Sequence, residues 1–354
     1  MAVDAIGSPA AEGDRAFCVD MLPKVSRTFA ICIRLLPSRL DHPVLIAYLL
    51  CRIADTIEDN PTLSAERKRL LLEDFSRCLD GEVCNTTSLE KAFSSPTSSD
   101  DLLAGNAAVV LREFRRLRRD HQRAIRPWVR EMSDGMAEFA QRRRDSNRAH
   151  LEALTTVEEL DQYCYYVAGT VGHLLTELFC LHAGCRDQER YDQLESLATS
   201  FGLGLQLTNI IKDVADDRRR GWVFVPQELC QLAGITPAQL HDVECRDAAR
   251  RVMSLLIGKA KIHLLDALEY SVTIPRTQYG IRLFCLSALY FAVRTLRLAA
   301  SDHRLLDPQH KVKITRAQVY RTLAVTRCVA PSDTLTRRYF RHLAGGAWTD
   351  AQSS

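Results

Sequence analysis

Apolar residues recur along the chain with the three-to-four-residue spacing of α-helices, and the strict alternation typical of β-strands is nearly absent. This pattern predicts helices over residues 11–22, 26–36, 41–58, 64–79, 101–117, 122–144, 156–182, 189–214, 226–232, 236–241, 244–273, 278–300 and 315–329. The loop-like stretch 93–100 ends in Asp100, which we predict to cap the next helix. Because no internal repeat or long linker interrupts the series, we predict a single all-α domain for residues 1–354.

Two aspartate pairs stand out from the helical pattern. Asp55 and Asp59 lie at the end of one apolar helical stretch, and Asp213 and Asp217 at the end of another. Residues four apart share one face of a helix, so each pair directs two carboxylates to one place. Neighbouring carboxylates repel each other unless a cation lies between them. Mg²⁺ prefers oxygen ligands and completes its shell with water and substrate phosphates, so the two pairs predict Mg²⁺ held around a diphosphate.

The helix that carries the first pair supports this interpretation. Residues 45–54 are apolar except for Tyr48 and Arg52, which share a face with Asp55 and Asp59. A buried arginine needs a partner, and a line of acids and arginine would bind a metal diphosphate. The alternative is an amphipathic helix that ends in solvated acids.

The helix that carries the second pair shows the same feature. Gln206, Asn209, Asp213 and Asp217 fall at i, i+3, i+7 and i+11, which is one face, while the rest of the helix is mostly apolar. A polar stripe through an apolar helix is costly unless it lines a wet or metal-filled cavity. Two such helices in one chain make coincidence the weaker explanation.

Composition narrows the class of protein. The 354 residues are 46% hydrophobic and 26% charged, which is typical of a soluble globular protein, and a net charge of +3 is too small to indicate nucleic acid. The twelve cysteines lack CxxC spacing, which favours reduced thiols and a cytoplasmic location. The sequence pattern predicts neither a signal peptide nor a transmembrane segment, since no uninterrupted apolar run reaches about eighteen residues.

Several stretches resemble the squalene/phytoene synthase family, in the family's own order. DTIED at 55–59 and NIIKDVADD at 209–217 resemble its two aspartate-rich motifs, and RRGWVFVPQEL at 219–229 resembles the flap that follows. SRTF at 26–29 resembles the N-terminal substrate motif, and DQYCYYVAGTVG at 161–172 resembles the central helix. HKVKITRAQV at 310–319 is similar to a late segment of the squalene synthase branch. The resemblance covers roughly residues 20–330.

The resemblance implies the all-α class I isoprenoid synthase fold around a central apolar channel. It implies Mg²⁺-dependent head-to-head condensation of two farnesyl diphosphates to presqualene diphosphate, and then reduction to squalene by NADPH. The alternatives are a dehydrosqualene, presqualene diphosphate or phytoene synthase that stops without reduction. A class I terpene cyclase and a non-catalytic scaffold relative are weaker alternatives, because the central tyrosine motif and all four acids are present.

The resemblance also implies roles for individual residues. Metal ligands are expected at Asp55, Glu58, Asp59, Asn209, Asp213 and Asp217. Substrate contacts are expected at Ser26, Arg27, Phe29, Tyr48, Arg52, Gln206, Lys212 and Arg218, and cofactor contacts at Arg27, Arg52, Lys212 and Lys313. Tyr163 matches the tyrosine that assists proton removal or stabilises a cation, although most buried tyrosines simply pack. Gly169 and Gly172 are expected to allow close helix packing.

Three positions depart from the family pattern. Trp222 stands where the flap usually carries a basic residue, for which Arg218, Arg219 or Arg220 would have to substitute. Ala288-Leu289 replaces a Pro-Gln pair, and Thr315 stands where a second basic cofactor contact is expected. These departures concern flap closure and reduction more than condensation. The absence of the eukaryotic C-terminal anchor favours a bacterial-type soluble form.

An arginine-rich region remains after the motifs are assigned. Eight arginines lie between 112 and 130, and three more follow at 142–144. Interleaved acids favour a solvated helical face, with peripheral contact to an anionic membrane as the alternative. We therefore expect a cytoplasmic protein, with the inner face of the membrane as the place of any peripheral contact.

Overall fold

The computed structural model describes residues 9–26, 28–81, 86–145, 152–184 and 187–345. For residues 9–10, 142–145 and 152–153 it describes the backbone but not the side chains. Arg27, predicted to contact substrate and cofactor, lies outside the described residues. The chain divides into two compact units. The first contains Met1–Gln141 and Glu177–Gly184, and the second contains Arg142–Thr176 and Cys185–Ser354. The prediction of a single domain stays a prediction.

The first unit is built from helices along the N-terminal part of the chain. They are α1 (Pro9–Val25), α2 (Thr28–Ile33), α3 (Asp41–Asp59), α4 (Ala65–Leu79), α5 (Thr87–Ala92), α6 (Ser99–Gly105), α7 (Ala107–Arg116) and α8 (Arg119–Asp145), the last of which ends in the second unit. Helix α3 lies at its core, with Leu49, Leu50 and Ile53 fully buried.

The second unit adds longer helices and one short strand pair. It contains β1 (Glu152–Ala153), α9 (Val157–Cys164), a π-helical turn (Tyr165–Gly169), the first half of α10 (Thr170–Ala183), α11 (Gln188–Arg219), β2 (Trp222–Val223), α12 (Gln227–Leu232), a 3₁₀ helix (Pro237–His241), α13 (Arg246–Thr273), α14 (Tyr279–Ser301), α15 (Arg316–Val329) and α16 (Asp333–Ala344). The all-α prediction is confirmed.

The helix ends differ from the prediction at several places. The predicted helix 101–117 is two helices, α6 and α7, which meet at Asn106. Ser98 caps α6 in a capping box with Asp101, so the prediction of Asp100 as the cap is wrong. The side chain of Asp100 instead accepts a hydrogen bond from Arg52. Helices α5 and α16 were not predicted, and α11 extends five residues beyond its predicted end.

The strands β1 and β2 pair in parallel, with Glu152 opposite Trp222 and Ala153 opposite Val223. The contact continues past the strands, because the backbone N–H of Gln227 donates to the carbonyl of Leu154 at 2.8 Å. The N–H of Val157, at the start of α9, donates to the Glu228 carboxylate at 2.7 Å. The flap after α11 is therefore joined to the start of α9.

Two glycines let the π-helical turn and α10 approach α11 closely. A Cβ atom at Gly172 would lie 2.1 Å from the Ala198 carbonyl oxygen, and one at Gly202 would lie 2.2 Å from that of Ala168. Such distances are far inside van der Waals contact, so a larger residue would force the helices apart. The predicted packing role of Gly172 is confirmed.

Arg282 is the largest fully buried side chain among the described residues, and it joins three parts of the second unit. Its guanidinium donates to the carbonyls of Val272, Ile274 and Ala330 at 3.1, 2.7 and 3.0 Å. It also pairs with Asp333 at 2.6 Å. These bonds satisfy carbonyls at the end of α13 and at the turn between α15 and α16.

Two helical stretches are long and apolar enough to cross a membrane, Val157–Ala183 and Tyr279–Ser301. Charged residues interrupt both stretches, so the criterion of an uninterrupted apolar run did not predict them. Core helices of globular proteins meet the same criterion, and 78% of an apolar 18-residue window in the second stretch is buried inside the protein. Eight of the ten cysteines in the described part of the chain are buried.

Candidate active site

Helix α3 carries the first polar stripe almost as the sequence predicts. From Pro43 to Asp59 every residue is buried except Tyr48, Arg52, Asp55 and Asp59, which are half-buried. Nε of Arg52 donates to Oδ1 of Asp100 at 2.9 Å, and its Nη1 lies 3.8 Å from Oδ2 of Asp55. The stripe is therefore a charged strip on an otherwise buried helix.

Several carboxylates lie close together along this strip and perturb one another's charge. The pKa of Asp55 is raised to about 8, chiefly by burial, with the nearby Arg52 acting in the opposite direction and the charges of Asp59, Glu58 and Asp100 contributing to the rise. A cation bound beside Asp55 would favour the charged carboxylate and relieve this repulsion. The strip therefore has the charge pattern that a metal site needs.

The described residues of the first unit that are predicted to contact substrate lie on this strip or next to it. The rings of Phe29 and Tyr48 stack with their centroids 5.7 Å apart. The hydroxyl of Tyr48 donates to the carbonyl of Val25 at 3.3 Å. Burial raises the pKa of Tyr48, against a hydrogen bond with Ser26 that lowers it. The structure thus brings Ser26, Phe29, Tyr48 and Arg52 together.

Helix α11 carries the second polar stripe. Gln206, Asp213 and Asp217 are half-buried and Asn209 is exposed, among neighbours such as Leu207 that are fully buried. The ammonium group of Lys212 contacts the carboxylate of Asp213. The half-buried Arg218 follows in the last turn. The predicted polar face is present along the C-terminal half of this helix.

Asp216 and Lys311 form an ion pair that the sequence did not predict. Nζ of Lys311 lies 2.6 Å from Oδ2 of Asp216, and Arg219 contacts the same carboxylate. Although burial acts in the opposite direction, hydrogen bonds from Lys311 and Arg219 lower the pKa of Asp216. The pair ties the segment that carries the exposed Lys313 to the end of α11.

Tyr163 lies in an aromatic row that continues into the flap. Its side chain is 4% exposed and stacks on Phe224 with centroids 4.8 Å apart. The ring of Phe224 in turn meets Trp222 edge-on at 5.8 Å. Trp222, which replaces the expected basic residue, is thus a packing partner of Phe224. The role of Tyr163 in catalysis stays a prediction.

The predicted metal ligands include carboxylates on both α3 and α11. Among the described residues, no three His, Cys, Asp or Glu side chains are already grouped closely enough to hold a metal ion. Glu58 is 1% exposed, in contrast to the half-buried Asp55 and Asp59. Each aspartate pair offers hard oxygen donors and leaves most of the shell to water and phosphate, which is the pattern that suits Mg²⁺. The donor chemistry fits, and the ligand set stays a prediction.

Comparison with family models gives a match to the squalene/phytoene synthase description over residues 22–318. The chain is 31% identical to a squalene synthase of Eremothecium gossypii over 296 residues, which is 84% of this chain and 64% of that protein. It is 32% identical to the Bos taurus squalene synthase, with coverage of 84% and 66%. The chain thus spans just under two thirds of the length of these curated relatives.

Comparison with solved structures gives the same fold. A complex of TcSQS with a ligand matches 97% of this chain and 94% of its own, with a TM-score of 0.78 and 27% identity. A dehydrosqualene synthase covers 90% of this chain with a TM-score of 0.63 and 22% identity, which supports the fold alone. The predicted class I isoprenoid synthase fold is confirmed, and the central apolar channel stays a prediction.

Proposed function

The chain belongs to the squalene/phytoene synthase family, and from this premise we propose that it catalyses Mg²⁺-dependent condensation of two farnesyl diphosphates to presqualene diphosphate and its reduction by NADPH to squalene. The observation that carries the proposal is the strip of Tyr48, Arg52, Asp55 and Asp59 on the otherwise buried helix α3. Holding one arginine and two acids half-buried in this way is costly without a polar ligand. The squalene synthases among the relatives support the choice of reaction.

The first chemical requirement is departure of diphosphate. Mg²⁺ bound by Asp55 and Asp59, and by Asp213 and Asp217, would neutralise charge on the diphosphate and so make it a better leaving group. Arg52 provides a fixed guanidinium, which its bond to Asp100 orients. Fixed charges that face the developing negative charge need no reorganisation during the reaction.

The second requirement is protection of the allylic cation from water. The ring of Phe29 stacks on Tyr48, which belongs to the strip on α3. Aromatic faces attract cations without acting as nucleophiles. Tyr163, packed on Phe224, is proposed to stabilise a cation or accept its proton. Chain length, C15 or C20, depends on the side chains that bound the hydrocarbon.

The reduction step is the part with the least support from the residues. Lys313 is the proposed contact for NADPH phosphates, and Lys311 fixes its segment through Asp216. Thr315 supplies no positive charge where a second basic contact is expected. A synthase that stops at presqualene diphosphate or dehydrosqualene is therefore the alternative that the experiment must separate.

The test uses purified protein, farnesyl diphosphate and Mg²⁺, with and without NADPH, and identifies the products by mass spectrometry. We expect presqualene diphosphate without NADPH and squalene with it. A C30 hydrocarbon formed equally with and without NADPH would contradict the reductive step. No C30 product under either condition, from protein with native helical circular dichroism, would contradict the whole proposal.

Site variants test the residue roles separately. Asp55→Asn and Asp213→Asn should each lower condensation by about 100-fold or more, as removal of a charge-stabilising group does in other active sites. Asp20→Asn is the matched control, because Asp20 is an exposed acid on α1 that pairs only with Lys24 among the contacts described. It should retain full activity. Equal activity in all three variants would refute the metal assignment.

A further inference from the structure

Lys68 is the only buried lysine in the described part of the chain, with 9% of it exposed. It lies on α4 one turn before Leu71 and Leu72 and two turns before Phe75, and these three side chains are fully buried. The helical pattern would place an apolar residue at this position. Because a buried ammonium group is costly without a polar partner, a lysine here indicates a specific contact.

That contact is made with the end of α3. Nζ of Lys68 donates a hydrogen bond to the carbonyl oxygen of Glu58 at 2.5 Å, and Glu58, the penultimate residue of α3, is 1% exposed. The last four carbonyls of an α-helix have no N–H partner within the helix. A lysine at this end satisfies such a carbonyl and interacts favourably with the helix dipole. Lys68 therefore caps α3 from the neighbouring helix.

The turn after α3 does not provide this cap through Pro61 or Thr62. Pro61 has no backbone N–H to donate. The N–H of Thr62 donates to Oδ1 of Asn60 at 2.9 Å, and its hydroxyl donates to the same oxygen at 2.7 Å. These bonds shape the turn between α3 and α4, and they leave the carbonyl of Glu58 to the ammonium group of Lys68.

The capped turn carries two of the proposed metal ligands. Asp59 is the last residue of α3 and directly follows Glu58, and Asp55 lies one turn earlier. The terminal turns of helices fray, whereas the groups of a metal site must be held to within about 0.5 Å of the productive geometry. The bond from Lys68 to the carbonyl of Glu58 restrains the backbone on which the Asp59 carboxylate is mounted.

We propose that Lys68 is a positioning residue for Mg²⁺ binding, which fixes the last turn of α3 so that Asp55 and Asp59 can bind the metal together. This inference rests on the proposed function, which assigns Mg²⁺ to these acids. Three roles for Lys68 predict different results when its charge is removed. Loss of a nearby cation would by charge alone strengthen the binding of Mg²⁺, a purely structural role would leave it unchanged, and loss of positioning weakens it.

The test is isothermal titration of the full-length protein with Mg²⁺ at saturating inorganic diphosphate, for the wild type and for Lys68→Met. Methionine keeps the length of the side chain and removes the donor. We expect the apparent Kd for Mg²⁺ to rise about tenfold or more, as it does when supporting partners of other metal sites are lost. In presqualene diphosphate formation, the Mg²⁺ concentration for half-maximal rate should rise in parallel. The rate at saturating Mg²⁺ should be largely retained, because the ligands themselves remain.

Arg69→Met is the matched control, because Arg69 is the next residue of α4 and its guanidinium binds Glu66 and Glu73 of the same helix. The control should keep the wild-type affinity for Mg²⁺. Lys68→Leu is a second variant, which suits the apolar face of α4 and decides the question if Lys68→Met does not fold.

Two results would overturn the proposal. One is unchanged or tighter Mg²⁺ binding by a Lys68 variant with native circular dichroism, and the other is an equal loss in Arg69→Met. A wild-type protein that binds no Mg²⁺ in the presence of diphosphate would instead contradict the proposed function. Failure of the positioning role and failure of the proposed reaction are therefore distinguishable.

Discussion

Replacement of Arg282 by methionine should strongly destabilise the second unit. Methionine has a similar length and suits an apolar site, but it cannot donate hydrogen bonds. In the wild-type protein, the guanidinium satisfies three backbone carbonyls and one carboxylate at a side chain that is 1% exposed. Arg282→Met removes all of these donors while keeping the volume nearly filled.

The size of the effect follows from the partners left behind. A buried carbonyl that loses its only donor costs about 1–3 kcal/mol. The carbonyls of Ile274 and Ala330 accept buried bonds and that of Val272 accepts a half-buried one, which together give at least about 2–3 kcal/mol. Removal of a buried cation returns part of its desolvation cost. Asp333 keeps a second partner, Arg276, at 2.6 Å. We therefore expect a loss of about 3–5 kcal/mol in the free energy of unfolding, as in other proteins where one side of a buried ion pair is removed.

The assay is urea unfolding followed by circular dichroism, with hydrogen exchange to localise the effect to the ends of α13 and α15. Arg276→Met is the matched control, because Arg276 binds the same carboxylate from a side chain that is 62% exposed. The control should cost less than about 1 kcal/mol. Equal destabilisation by the two variants would refute the argument, because it would assign the effect to Asp333 rather than to the buried donors.

The ion-pair part of the effect depends on pH. The hydrogen bond from Arg276 lowers the pKa of Asp333, burial opposes it, and Arg282 lowers it further. A lowered pKa means that the carboxylate stabilises the folded state fully above its unfolded value of about 3.9. This contribution is lost as the pH falls through the lower folded value. The difference between wild type and Arg282→Met should therefore shrink below about pH 4, and a constant difference would show that Asp333 contributes nothing.

Two more predictions follow from contacts in the second unit. Gly172→Ala should lower the free energy of unfolding by about 1–3 kcal/mol or more, because the added Cβ overpacks against Ala198. Gly258→Ala, where an added Cβ meets nothing within 4 Å, should raise it by up to about 1 kcal/mol through helix propensity. Chemical denaturation compares the two variants, and a change of the same sign in both would contradict the packing model. Lys311→Met should raise the KM for NADPH several-fold and leave presqualene diphosphate formation within about twofold, because it frees the segment of Lys313; steady-state kinetics measure both. Lys311→Arg should restore the wild-type KM, and a loss confined to condensation would contradict the positioning role.

The spacing of apolar and polar residues along the sequence predicted the polar stripe of α3 well. The burial of every residue from Pro43 to Asp59 except four follows from helical periodicity, because one apolar helix can expose only one face. The resemblance then added the roles of those four residues. The same reasoning placed Asp213 and Asp217 on one face of α11.

Partners distant in sequence were not predictable in this way. Arg52 was expected to need a partner, but Asp100 is 48 positions away, and its position after a loop suggested a cap instead. Ser98 is the N-cap because its hydroxyl accepts a hydrogen bond from the N–H of Asp101, while the Asp101 carboxylate accepts one from the N–H of Ser98. Lys311 and Asp216 meet only through tertiary packing, so no spacing rule could have indicated their contact.

The short pairing of β1 with β2 links the flap to the start of α9, so the two segments are expected to move together. A displacement of Trp222 must either break the two-residue ladder or pull on Val157, which is held through Glu228. Tyr163 lies two turns further along α9 and also contacts the flap through Phe224. The indole of Trp222, which stands where the family has a basic residue, is thus a natural fluorophore at the contact between the flap and the start of α9. Its emission should report, in real time, when ligands on α11 shift the helix that carries Tyr163.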